Sequence, residues 1–288
     1  MPVEKASSDK KEVHLTALRA DHLPQAVALS SEFSWPYREA DWRFAFDLGH
    51  GVAAEVDGRL VATALWWLYG DRYATCGMII VTQQMQGYGL GRKLMDAMLD
   101  KIGDRSIILN STEEGYRLYE KLGFTPYGKV YQHQAVLEAD PLLCTEPTGI
   151  RSMHPGDETA IRGLDFAASG MDRTVLLDAL FSVGTLIVMD RGTGVQAYAC
   201  AREFGRGIVI GPVIAADAAD AKALILSLAS RHRGEFVRVD VTDDCGLSPW
   251  LSGIGLPRVG QVVAMVRGVR PITSDSAGLF ALSSQSLG

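Results

Sequence analysis

The sequence predicts an α/β protein made of two similar units in tandem. Three observations predict it. Short apolar strand runs alternate with amphipathic helical stretches along the chain. In the first half a buried strand runs into a glycine-rich loop and then a strong helix. The same order of elements returns in the second half at low identity. The length of 288 residues suits two cores of roughly 130 to 140 residues each.

Residues 1–12 are polar and predict a disordered lead. Residues 13–18 (VHLTAL) read as a strand. Asp21 caps a helix over 22–33, with Leu23, Ala26, Val27 and Leu29 on its apolar side. A second helix covers 38–48. The Asp57-Gly58 turn joins apolar runs at 51–55 and 60–68, a hairpin signal. Residues 76–81 (CGMIIV) form a buried strand, a helix spans 90–102, and 106–110 (SIILN) form another buried strand. A helix capped by Ser111 or Thr112 runs to about residue 122 and stops at Gly123. An alternating strand at 130–137 closes the first unit, which spans 13–138.

Residues 139–149, with two prolines and no periodicity, read as a linker. The second unit, 150–270, repeats the pattern. It has a helix at 157–167, a hairpin at 185–190 and 195–203, buried strands at 208–214 and 236–241, and a helix at 221–230. The Ser-, Gly- and Ala-rich stretch 271–288 reads as a loose tail.

Composition excludes several function classes. Hydrophobic residues make up 47% and charged residues 22%, with a formal net charge of −6. That balance argues against a nucleic-acid footprint and permits cationic small substrates. The four cysteines form no CxxC pair, so neither zinc nor a disulfide framework is expected. The N-terminal stretch carries Lys5, Lys10 and Lys11 and lacks the apolar core of a signal peptide. The longest apolar stretch, 61–69, is too short to span a bilayer. The expectation is a cytoplasmic protein with no membrane partner.

The segment that carries chemistry is Gln86-Gly87-Tyr88-Gly89-Leu90-Gly91-Arg92-Lys93, between a buried strand and a helix. Glycine lets the backbone take positive φ and approach a ligand closely. A helix start adds unpaired N–H groups and the positive dipole end. Together these make a cradle for phosphate or diphosphate, with Arg92 and Lys93 at its rim. The spacing is neither Walker A nor GxGxxG. Taken alone, the loop reads equally as a tight turn with close helix packing.

The loop does not stand alone. Gln86-x-x-Gly89-x-Gly91 after an apolar strand resembles the Gln/Arg-x-x-Gly-x-Gly/Ala motif of the GNAT superfamily of N-acetyltransferases. Gly115-Tyr-Arg-Leu-Tyr119-Glu-Lys-Leu-Gly123-Phe124 is similar to that superfamily's next motif, in the same order. The resemblance covers roughly residues 13–137; in the second half only the element order resembles the family. It implies a fold of two tandem GNAT-like domains, each a mixed, mostly antiparallel sheet flanked by helices, and acetyl transfer from acetyl-CoA to a small-molecule or peptide amine. It implies that Ile79, Ile80 and Val81 pair with the pantetheine arm as an added strand would. Backbone N–H groups from Gln86 to Arg92 then hold the pyrophosphate, and Tyr119 is the acid that protonates the departing thiolate. Thr112 stands where many members carry a pantetheine-contacting Asn, with Asn110 as a second candidate. Tyr116, on the same helix face, is the runner-up donor.

The general base is not legible. Many members place a Glu on the strand at 76–81, and this chain has none there. Glu55 is the best carboxylate by position; Asp71 and His133 are weaker, and a water relay serves equally. Trp35, Trp42, Trp66 and Trp67 gather near the acceptor side in this superfamily. An aromatic cage for a cation is one reading and core packing the favoured one, with Trp66 and Trp67 on opposite sheet faces.

In the second half the counterpart of the loop, 213–222, lacks the glycines and carries Asp217 and Asp220. Carboxylates there repel a diphosphate. The counterpart of Tyr119 is Trp250 or Leu251, neither an acid. The second unit is therefore expected to bind no CoA and to complete the acceptor pocket. The rival readings are a non-catalytic acyl-CoA-binding regulatory module and a purely structural protein.

Overall fold

The computed structural model describes residues 12–138 and 148–288. Most of the predicted lead and most of the predicted linker lie outside the described residues. The first half runs β1 (His14–Ala17), α1 (Leu23–Glu32), α2 (Glu39–Leu48), β2 (His50–Val56), β3 (Arg59–Tyr69), β4 (Tyr73–Val81), α3 (Leu90–Ile102), β5 (Ser106–Ser111), α4 (Glu113–Lys121) and β6 (Thr125–Val136). The second half repeats it as β7 (Ile150–Ser152), α5 (Glu158–Ser169), α6 (Thr174–Val183), β8 (Thr185–Asp190), β9 (Val195–Phe204), β10 (Gly207–Ala215), α7 (Ala218–Ser230), β11 (Phe236–Thr242), α8 (Ser248–Gly253) and β12 (Arg258–Arg267), followed by β13 (Gly278–Ala281).

The predicted class holds: mixed, mostly antiparallel sheet with helices on both faces. The joining of the halves goes beyond the sequence reading. The thirteen strands of the described residues form one sheet, in the order β1-β2-β3-β4-β5-β12-β6-β11-β13-β10-β9-β8-β7. The two halves exchange their last strands. β12 lies on β5 from Val263–Ser111 to Arg267–Ile107. β6 lies on β11 from Phe236–Val136 to Thr242–Val130, and β6 and β12 pair with each other at the centre.

Local sequence explains the elements that shape the site. In α3, Leu90, Leu94, Met95, Met98 and Ile102 recur at helical spacing and are all buried. Each such side chain contributes about 1.5–3 kcal/mol against the sheet. Trp66 and Trp67, adjacent on β3, enter cores on opposite faces, as period-two alternation requires. The face carrying α1, α2, α5 and α6 is one continuous core shared by both halves.

The expected loose tail over 271–288 is corrected. Ala277, Phe280, Ala281, Leu282 and Leu287 are buried, and β13 pairs with both β10 and β11. Apolar residues at these positions outweigh the Ser-rich composition, and Ser283 and Ser284 are themselves buried. Among the described residues, no helix is long and apolar enough to cross a membrane, and none group as a metal site.

Candidate active site

The site is built where β4 leaves β5. The two strands pair in parallel only from Tyr73–Ser106 to Thr75–Ile108. Beyond Thr75, β4 presents an edge that β5 does not cover. A bulge there takes Met78 and Ile79 out of register with β3, and Met78 has a positive φ of 50°. The Thr63 hydroxyl donates to the Met78 carbonyl at 2.9 Å and holds the bulge. Ile79 lines the cavity beside the edge, Ile80 packs into the core, and Val81 ends the strand.

The glycine loop follows. Gly87 and Gly89 have φ of 81° and 75°, and a Cβ on either would meet nothing within 4 Å. Gly89 is the N-cap of α3 and no side chain caps that helix. The first N–H groups of α3, on Leu90, Gly91 and Arg92, therefore have no intrahelical acceptor. Gly91 is small for a different reason: Leu118 of α4 packs 3.4 Å from where its Cβ would sit. Tyr88 and Lys93 are exposed, and Arg92 is bound to Asp96 at 2.8 Å. The Gln86 amide reaches back to the Val81 carbonyl at 3.5 Å. The loop is fastened by a residue the sequence reading passed over. Glu32, ending α1, accepts from the Thr82 hydroxyl at 2.8 Å and from the Gln83 N–H at 3.1 Å.

A cavity of about 290 Å³ opens at the uncovered edge. Tyr119, Asn110 and Thr112 line it. Tyr119 lies across Gly115, where a Cβ would meet its ring at 2.7 Å, and stacks edge-on against Phe124. Burial pushes its phenol well above the usual range, so it stays protonated. The Asn110 amide donates to the Gln285 carbonyl at 2.7 Å, while its Oδ1 is buried with no hydrogen-bond partner. Tyr116 packs beside the α3 core and does not line the cavity.

The second half supplies much of the rest. Phe204 and Arg206 come from the β9–β10 hairpin, Arg238 from β11, and Gln285 and Ser286 from the segment after β13. Trp35 and Tyr37, between α1 and α2, complete the wall; Tyr37 meets Phe204 edge-on at 5.3 Å. Gly77 leaves room for Ser286, which a Cβ would meet at 2.5 Å.

The candidate bases are not brought here. Glu55 sits at the far end of β2, where its carboxylate receives the Thr16 hydroxyl at 3.2 Å and lies 3.0 Å from His22 and 3.4 Å from Arg19. Desolvation works to raise its pKa, but Thr16, His22 and Arg19 together hold it below the usual glutamate range. It is an anchor for the β1–α1 corner and a poor proton acceptor. Asp71 is fully exposed in the β3–β4 turn. His133 is buried in β6, its ring fixed by the Leu256 carbonyl at 2.7 Å and Ser248 Oγ at 2.9 Å. Among the tryptophans only Trp35 lines the cavity. Trp42 and Trp67 are core residues whose indoles donate to Ser30 Oγ and the Ala45 carbonyl.

The matching places in the second half are filled by the chain itself. Asp217 caps α7, accepting from Ala219 N at 2.8 Å and Asp220 N at 2.9 Å. Asp220 is held by Arg191. β10 and β11 pair only at Ile208–Val237 and Val209–Arg238, and β13 enters the gap beyond, as a third strand. The fit to Gly211 is close, with the Leu282 carbonyl 1.9 Å from where a Cβ would be.

Two stretches of the chain, residues 47–126 and 161–281, each match a family described as "Acetyltransferase (GNAT) domain". The second match is in the half where sequence reading found only a shared element order. An uncharacterized N-acetyltransferase, YitH, of Bacillus subtilis is 28% identical over 283 residues, covering 95% of this chain and 98% of that protein. A putative acetyltransferase from Pyrococcus horikoshii shares the fold with a TM-score of 0.82 at 15% identity, over 99% of both chains. A tandem GNAT protein from the clavulanic acid biosynthesis pathway shares it with a TM-score of 0.63 at 13% identity, over 91% of this chain and 100% of that one.

Proposed function

The chain belongs to the GNAT acetyltransferases as a tandem of two such domains, and we propose that it transfers the acetyl group of acetyl-CoA to a primary amine, with the first domain binding the CoA and the second completing the acceptor pocket. One observation carries the reading: the protonated phenol of Tyr119 lines a cavity at the end of the uncovered β4 edge. The residues present suit the group. The open N-terminus of α3 and the loop Gln86–Arg92 hold a diphosphate, and the β4 edge at Ile79–Val81 holds the pantetheine amides. Asn110, with its orphaned buried Oδ1, and Thr112 contact the same arm. The second domain, with Asp217 and β13 in the equivalent places, binds none.

Acetyl-CoA supplies a thioester carbonyl and a thiolate leaving group. Tyr119 gives its proton to the departing sulfur as a general acid. Backbone N–H groups of the Met78–Ile79 bulge stabilise the oxyanion. No Asp, Glu or His stands among the described residues lining the cavity, so water takes the amine's proton. Holding both reactants in one cleft supplies much of the rate. The missing base also favours the alternative, an acyl-CoA-binding regulatory module without turnover.

Calorimetric titration with acetyl-CoA, beside a Gly89→Glu variant, tests the reading. One site per chain is expected, with affinity lost by more than about 100-fold in the variant, which adds a side chain and a negative charge at a positive-φ position. Two sites overturn the assignment of the second domain. No binding overturns the whole reading. Binding without turnover on any amine favours the regulatory module.

A further inference from the structure

We propose that the acceptor is a small amine that also carries a carboxylate, of the α-amino acid class, and that Arg206 and Arg238 of the second half seat that carboxylate. The inference rests on the acetyl-transfer reading and adds the acceptor to it.

Among the described residues lining the cavity, the charged ones are these two guanidiniums. Arg238 is anchored from behind. Its Nε reaches Asp240 at 3.0 and 3.1 Å and its Nη2 lies 2.8 Å from the same carboxylate, which is fully buried and does not line the cavity. A guanidinium fixed along one edge is pre-organised to offer its remaining N–H groups to a second carboxylate. Arg206 stands exposed at the rim, its guanidinium 5.6 Å from the Phe236 ring centroid. A third cation, Arg202, is buried behind Phe204 with its Nε unpartnered. The nearby acids, Glu203 and Asp41, are both held by Arg38 at 2.9 and 3.0 Å. Arg38, Arg202, Arg206 and Arg238 stand against Asp41, Glu203 and Asp240, four cations against three carboxylates, so the surround of the cavity keeps a positive excess although the chain as a whole is acidic.

This arrangement selects among amines. A substrate that is only cationic meets like charge, and the Phe204 ring that could offset it is already engaged by cations. Phe204 carries Arg202 at 4.9 Å and Arg238 at 5.4 Å from its ring centroid. A molecule with amine and carboxylate on neighbouring atoms is drawn in by the carboxylate. The same field lowers the pKa of its amine, raising the neutral, nucleophilic fraction in a cavity that offers no side-chain base. Trp35, Tyr37 and Phe204 leave apolar surface for the substrate's side chain.

The test is a thiol-release assay with acetyl-CoA on the common α-amino acids, their amides and the matching decarboxylated amines, run beside calorimetry with acetyl-CoA alone. The expected result is kcat/KM for an acid at least about 30-fold above its amide and amine. Arg206→Gln should raise KM for acid acceptors by about 10- to 100-fold with acetyl-CoA affinity kept, and Arg206→Lys should restore part of the loss. Equal use of acid and amine, or preference for the amine, overturns the inference while leaving acetyl transfer standing. Loss of the calorimetric signal for acetyl-CoA in the unmodified protein overturns the catalytic reading instead.

Discussion

The N-termini of α3 and α7 occupy the same place in the two halves and differ in who satisfies them. At α3 the cap is Gly89 in a left-handed conformation, with no side chain bonded to the helix. At α7 the cap is Asp217, whose carboxylate takes two N–H groups. The strand gaps differ in the same way. The β4 edge beyond Thr75 is left uncovered by β5, whereas the gap between β10 and β11 holds β13. The fold creates unsatisfied backbone in both halves. On the proposed reading, capacity for a ligand goes with the half in which the chain has not satisfied that backbone itself.

The largest effect that could break this comparison lies at the acid. Tyr119→Phe should lower kcat by about 10²- to 10⁴-fold and leave acetyl-CoA affinity intact in a titration. Leu251→Tyr, at the matching place in the second half, should add no activity. Full turnover by the Phe variant would remove the phenol from the mechanism. A smaller effect tests the second half as scaffold. Asp217→Ala should cost about 1 kcal/mol of stability, lowering Tm by about 2–4 °C, with acetyl-CoA stoichiometry unchanged at one. A new binding site in this variant would mean that the cap alone kept the second domain empty.

The smallest effect concerns the crossing strand β6. Burial pushes the His133 imidazole below its ordinary value of 6.5, so the native protein keeps it neutral while the unfolded chain takes up a proton. Stability is thus complete above about pH 6.5 and falls as pH drops through that value, levelling off below the folded pKa. His133→Gln should flatten this part of a urea-unfolding pH series; an unchanged slope would show that His133 is not its source.

Much of the fold was legible because its signals are local. The glycine loop, the Asp57-Gly58 hairpin and the period of α3 each declare themselves within a dozen residues. The strand exchange did not, because alternation in β6 marks which face is buried and not which strand lies alongside. β13 was hidden by the serines that flank it, and the tail packs against neighbours far along the chain, such as Gly77 and Gly211. The same limit governs the site. Glycine spacing and the Tyr119 motif indicated the loop and the phenol directly. Glu55 and His133 were plausible bases by position alone, and distant partners claim both: His22 and Arg19 for one, Ser248 and Leu256 for the other. Arg206 and Arg238 carried no signal, since nothing in the sequence places the strands of the second half beside those of the first.

The exchanged strands also bear on how substrates enter. Many two-domain enzymes swing about a linker to enclose their substrates. Here such a swing would have to break the β5–β12 and β6–β11 ladders, so the wall holding Tyr119 and the wall holding Arg238 stand as parts of one stiff mould. On the proposed reading, discrimination falls to the fit of a molecule to this mould and not to the closing of one half over the other.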